Sequence, residues 1–206
     1  PSSKFQEKGI SLVEIIVVIF IIAIFSMIVV SNFPKILRQT ALSRATYKLA
    51  QNLRKVEDLG LSGVPIMDKN GDVIAVKGYG IFLQPSFYGD DNKKKYIIYA
   101  DVDKNSKYGG TFSTTLCGEV DQDSNGPRQI DCIVEVIDVT RENPSLSIIG
   151  VTGSSSASIN FSPPDPVVTL YNSSGATMSQ VEIILGNTDG ITRKVLVNNS
   201  GLINVK

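Results

Sequence analysis

Residues 10–30 constrain this chain more than any other stretch. They form a run of 21 residues, almost all Ile, Val, Phe, Leu, Met or Ala, broken only by Ser11, Glu14 and Ser26. As a helix rising 1.5 Å per residue, the run is about 30 Å long, the thickness of a bilayer's hydrocarbon core. Its one ionisable residue is Glu14. An acid at the centre of a membrane helix costs about 2.5–3.5 kcal/mol on insertion scales, less toward the interface, and calls for a partner. The run holds no Lys or Arg to serve as one. Before it lie Lys4, Lys8 and Gly9, a short basic piece with the character of a cytoplasmic leader. An ordinary secretory signal carries its small-residue cleavage site after the apolar region. Here the small residue precedes it, so a cut at Gly9 leaves the apolar helix on the mature protein.

Lys8-Gly9-Ile10-Ser11-Leu12-Val13-Glu14, followed by the apolar run, resembles the class III signal of type IV prepilins and type II secretion pseudopilins. The resemblance implies that a membrane prepilin peptidase cuts after Gly9 and N-methylates Ile10 as the new first residue. It implies that Glu14 neutralises the N-terminal amine of a neighbouring subunit during filament assembly. The chain departs from the usual pattern in two places. Ile10 stands where the family usually has phenylalanine, and the apolar run lacks its usual proline, with Ser31 and Pro34 just beyond it. The implied partners are the peptidase, other pilin or pseudopilin subunits and the inner membrane. The implied topology is a single pass with the N-terminus inside and the globular domain outside, passing later into a periplasmic or extracellular filament.

Beyond the run, Leu42, Ala45, Leu49, Leu53 and Val56 recur at spacings of three and four, with Arg38, Arg44, Lys48, Gln51, Arg54 and Lys55 among them. That is an amphipathic helix with one apolar stripe, ended by Gly60 and Gly63. The stripe needs a globular domain to cover it. After Gly63 the period changes to that of strands. Apolar or β-prone runs lie at 73–77, 78–83, 95–101, 130–139, 146–151, 157–161, 167–171, 181–185, 193–197 and 202–205. Turn residues separate them, as in antiparallel sheet, and 187–190 and 198–201 read as hairpin turns. The expected fold is therefore α+β: a long N-terminal helix, half transmembrane and half amphipathic, packed on a C-terminal antiparallel β-sheet domain, pilin-like. The expected divisions are a leader at 1–9, a transmembrane segment at 10–30, an amphipathic continuation at 31–60 and a β-rich domain at 61–206. The order of strands around an Asp-x-Asp-x-Asn stretch, ending on a glycine turn and a short last strand, is similar to H-type minor pseudopilins and related minor pilins. Some DNA-uptake members carry arginines after that last turn. Residues 201–206 here carry none.

Composition narrows the chemistry. Lys+Arg and Asp+Glu are each 20, so no basic excess argues for nucleic acid. The chain has no His, which removes His-based metal ligation and the usual nucleophile–base pairs, and it reads as a non-enzyme. Asp101, Asp103 and Asn105 place oxygen side chains at alternate positions, a spacing that can wrap a hard cation. Asp121, Asp123 and Asn125 repeat it, with Gly126 after them. Neither completes an EF-hand, because the twelfth positions are Phe112 and Cys132 rather than Glu. Two readings stay open for these residues: a calcium site borrowing a ligand from elsewhere, or solvated Asx turns with no cofactor. In an exported domain, as the resemblance suggests, Cys117 and Cys132 make a candidate disulfide closing a loop of about 16 residues, worth roughly 3 kcal/mol in the chain-entropy model; the alternative is two buried thiols. Tyr79, Tyr88, Tyr96, Tyr99 and Tyr108 read as sheet packing. The expected function is a structural subunit, a minor pilin or pseudopilin of a type IV pilus or type II secretion-like filament. The alternative is a membrane-anchored or filament-tip binding module for adhesion or DNA capture.

Overall fold

The computed structural model describes residues 11–67, 71–85, 92–109, 120–123, 126–129, 131–163 and 167–206, with 92, 120–123 and 126–129 as backbone alone. Gly9, Ile10, Cys117, Asn125 and Tyr88 lie outside the described residues. The chain divides into two units, Pro1–Leu37 and Arg38–Lys206. Helix α1, Leu12–Ser62, contains Pro34 and has residues in both.

In the first unit, residues 11–37 are all exposed. Ile19, Phe20, Phe25 and Met27 are each more than 60% accessible. A helix apolar all round and exposed along its length is suited to a non-aqueous environment or to burial by other chains. This one is long and apolar enough to cross a membrane.

In the second unit, residues 38–62 of α1 carry the expected stripe. Leu42, Leu49, Leu53 and Val56 are fully buried and Ala45 nearly so. They pack into one core with two antiparallel sheets. The strands are β1 (Ile66–Met67), β2 (Val73–Ile74), β3 (Gly78–Leu83), β4 (Lys95–Asp101), β5 (Val120–Asp123), β6 (Gly126–Gln129), β7 (Cys132–Asp138), β8 (Leu146–Val151), β9 (Ala157–Ser162), β10 (Val167–Asn172), β11 (Gln180–Asn187), β12 (Thr192–Asn198) and β13 (Ile203–Val205). One sheet has the order β10-β9-β3-β4-β7 and the other β13-β12-β11-β8; β1-β2 and β5-β6 form separate two-stranded ladders. The α+β, pilin-like layout read from the sequence is the one observed.

Specific contacts fix the helix on the first sheet. Asn52 Nδ2 donates to Tyr96 Oη at 2.7 Å. Lys55 pairs with Glu135 at 3.0 Å. At Gly60 a Cβ would sit 2.4 Å from the carbonyl oxygen of Phe161 in β9. Glycine there lets helix and strand backbones approach more closely than any side chain permits. At the middle of α1, where the second unit begins, Arg38 Nε pairs with Asp189 at 2.7 Å, reaching the β11–β12 turn.

Three turns, after β10, β11 and β12, share one form, Asn-x-x-Gly. In each, the Asn side-chain oxygen accepts the backbone N–H groups two and four residues on: Ser174 and Ala176 for Asn172, Asp189 and Ile191 for Asn187, Ser200 and Leu202 for Asn198. Gly175, Gly190 and Gly201 hold φ of 79°, 76° and 82°, the left-handed region glycine enters without penalty.

The far face of the first sheet carries a smaller core of Ile97, Tyr99 and Tyr108. Tyr108 arrives from the segment after β4 and packs on Phe82 and Tyr99, with ring centroids 4.8 and 5.2 Å away. A Cβ at Gly80 would strike the Tyr99 ring, so this glycine makes room for it. β4 is consequently buried on both faces.

Candidate functional site

Glu14 lies in the first turn of α1 and is exposed. The helix opens with the N–H groups of Glu14 and Ile15 on the carbonyl of Ser11, at 3.0 and 3.3 Å. An acid at a helix N-terminus gains about 0.3–1 kcal/mol from the unsatisfied amides there. That is less than the insertion cost of a central intramembrane acid, so the helix alone does not offset a desolvated Glu14.

The second candidate is an aspartate cluster at one end of the first sheet. β4 and β7 are antiparallel neighbours with Ala100 opposite Cys132. One residue beyond that pair, Asp101 ends β4 and Asp131 precedes β7, which sets the two acids side by side. Asp103 comes from the turn after β4. Carboxylate oxygens of Asp101, Asp103 and Asp131 lie within 4.8 Å of one another. Asp101 and Asp131 are fully buried, and Asp103 is exposed.

Backbone amides hold these carboxylates. Asp131 Oδ1 accepts from Val102 N at 3.0 Å and Oδ2 from Gly109 N at 2.9 Å. Asp101 Oδ2 accepts from Ser106 N at 2.9 Å. Asp103 Oδ1 accepts from Asn105 N at 3.1 Å. Asp101 Oδ1 is buried and has no hydrogen-bond partner among the described residues. Lys104 and Ser106 take positive φ of 66° and 63°. A non-glycine residue there costs about 1–2 kcal/mol, and the amide bonds to the acids hold the turn in this shape. Burial pushes Asp131 up to about 7; the Gly109 amide pulls against that, and the charges of Asp103 and Asp101 add to it. Burial likewise pushes Asp101 up to about 6, against the Ser106 amide and with Asp103. Among the described residues none of the three acids forms an ion pair. Lys77 is the nearby cation, and its Nζ donates to the Lys104 carbonyl at 2.9 Å.

The sequence reading placed Asp101 and Asp103 in one cation-wrapping stretch, and the structure brings both together with Asp131. Asn105 stays beside the cluster without offering it an oxygen: its Oδ1 accepts from Lys107 N at 2.7 Å and its Nδ2 donates to Asp103 Oδ2. Asp121 and Asp123 sit in β5, whose backbone pairs with β6. Cys132 is fully buried. Asp131 was missed as a cluster member. Its only local signal is an acid placed directly before an apolar strand.

Residues 4–30 match the family model for the prokaryotic N-terminal methylation motif. The match covers Gly9, Glu14 and the apolar run, and it indicates a type IV pilin-like precursor of the kind a prepilin peptidase processes. No curated protein and no solved structure matches the chain. An apolar N-terminal helix that fits membrane anchoring, an amphipathic continuation and an antiparallel β domain together make the layout pilin-like.

Proposed function

We propose that the chain is a structural subunit, a minor pilin or pseudopilin, of a type IV pilus or type II secretion-like filament. The prepilin peptidase cuts it after Gly9, and it assembles through its N-terminal helix. Before assembly the apolar helix anchors it in the inner membrane, with the leader inside and the β domain outside. The observation that carries this reading is the helix apolar on every side, with one acid in its first turn, inside the matched motif. Stems packed side by side cover that apolar surface. Each Glu14 then faces the Ile10 amine of a neighbour, and the desolvated charge is tolerable because its counter-charge is desolvated with it.

Two variants test this. Glu14→Ala is expected to leave membrane fractionation unchanged and to remove the subunit from sheared filaments. Gly9→Ala is expected to retain the leader, read as intact mass of the membrane form. Normal filament incorporation of Glu14→Ala would overturn the proposed assembly role.

A further inference from the structure

We propose that Asp101, Asp103 and Asp131 bind one calcium ion at the end of the first sheet where β4 and β7 meet. This site does not depend on the filament reading. Three observations carry it. The donors are all carboxylate oxygens, the ligand type of hard cations. Their spacing, within 4.8 Å, lets one ion with bonds of about 2.4 Å touch all three. Finally, Asp101 is fully buried in this group of like charges, and its Oδ1 lacks a partner among the described residues. A buried acceptor left unpaired costs about 1–3 kcal/mol, and more when charged. A cation supplies the missing partner and neutralises the repulsion.

The other carboxylate oxygens are already oriented. The amides of Val102, Gly109, Ser106 and Asn105 fix the three groups while leaving lone pairs for the ion, since a carboxylate offers about four acceptor positions. Exposed Asp103 leaves one side open for entry and for water ligands, which calcium needs to reach six to eight oxygens. With no His in the chain and only carboxylates converging here, softer metals have little claim.

The test uses the purified full chain in detergent micelles after chelator treatment. Terbium is the reporter: the chain has no Trp, Tyr99 lies within range of the Asp131 and Asp101 charges, and Tyr108 precedes the Gly109 amide that bonds Asp131, so both can sensitise its emission. The expected result is tyrosine-sensitised emission that calcium at about 1 mM, the upper range for extracellular sites, competes away. The same calcium raises the thermal midpoint, and chelator reverses the rise. Asp103→Asn removes one of three clustered like charges, so its metal-free melting is expected at or above that of the native chain while calcium affinity falls by about tenfold or more. Three results would overturn the proposal. One is absence of sensitised emission. Another is an Asp103→Asn response equal to native. The third is an Asp101→Asn chain that binds calcium as tightly as native, since this substitution takes away the buried oxygen the ion is held to complete. An equal response to magnesium would overturn the choice of calcium.

Discussion

Asp131 Oδ2 accepts the backbone N–H of Gly109 at 2.9 Å, across 22 positions of sequence. The same carboxylate takes the Val102 amide on its other oxygen at 3.0 Å. One buried acid therefore ties the turn after β4 to the start of β7.

The acids' burial makes stability depend on pH. Asp131 and Asp101 are raised to about 7 and about 6, so between about pH 4 and 7 the folded chain holds protons that the unfolded chain has released. In chelator, their contribution to stability is present at the acid end of that window and is lost as pH rises through it. Chemical denaturation across the window is expected to show native stability falling relative to Asp131→Asn. A difference that stays constant with pH would contradict the burial argument.

Gly60→Ala pits two effects against each other. Alanine favours the helix by up to about 1 kcal/mol, but its Cβ would sit 2.4 Å from the Phe161 carbonyl, which belongs to backbone and cannot swing away. Net destabilisation of about 1–3 kcal/mol is expected from overpacking. Gly150→Ala, where a Cβ meets nothing within 4 Å, is the control and should stay within about 0.5 kcal/mol of native. Urea midpoints of the two variants decide the matter.

Leu49→Ala empties a fully buried position on the helix stripe. A cost of about 2–5 kcal/mol is expected, enough to unfold much of a marginally stable domain. Residues 12–30 are exposed and none is among the buried core residues, so the variant should still fractionate with membranes while becoming sensitive to protease.

Asn187→Ala takes the acceptor from the amides of Asp189 and Ile191 and loosens the turn that presents Asp189 to Arg38. About 1–2 kcal/mol is expected. Arg38→Ala alone should cost less, about 0–1 kcal/mol, because that pair is partly solvated. Thermal unfolding of both variants checks the order, and a larger loss for Arg38→Ala would reverse the ranking.

The helix stripe and most strands were legible because their signals are local. Leu42, Leu49 and Leu53 announce their face by spacing alone, and two of the three Asn-x-x-Gly turns were read directly. The third, at Asn172 to Gly175, carried the same signal and was passed over. The pairing of β3 with β9 was not legible: Ile81 meets Ile159 across nearly eighty residues, and nothing local specifies that partner. Nor was the meeting of Asp101 and Asp131, because ladder register brings them together rather than any motif. The Asp-x-Asp-x-Asn spacing marked the turn where Asp101 and Asp103 converge, while the Asn105 side chain there bonds the Lys107 amide and Asp103. Tyr108 was read as sheet packing, correctly, but its arrival from outside the strands was not foreseen.

Gly109 and Asp131 being fastened to each other has an evolutionary reading. Closing a connection costs only about 0.6 kcal/mol more for each doubling of its length, and here both of its roots are already clamped. Sequence between those roots can lengthen, shorten or diversify while β4 and β7 keep their register. This neck is where related chains are expected to differ most in size, and where a graft would be tolerated best.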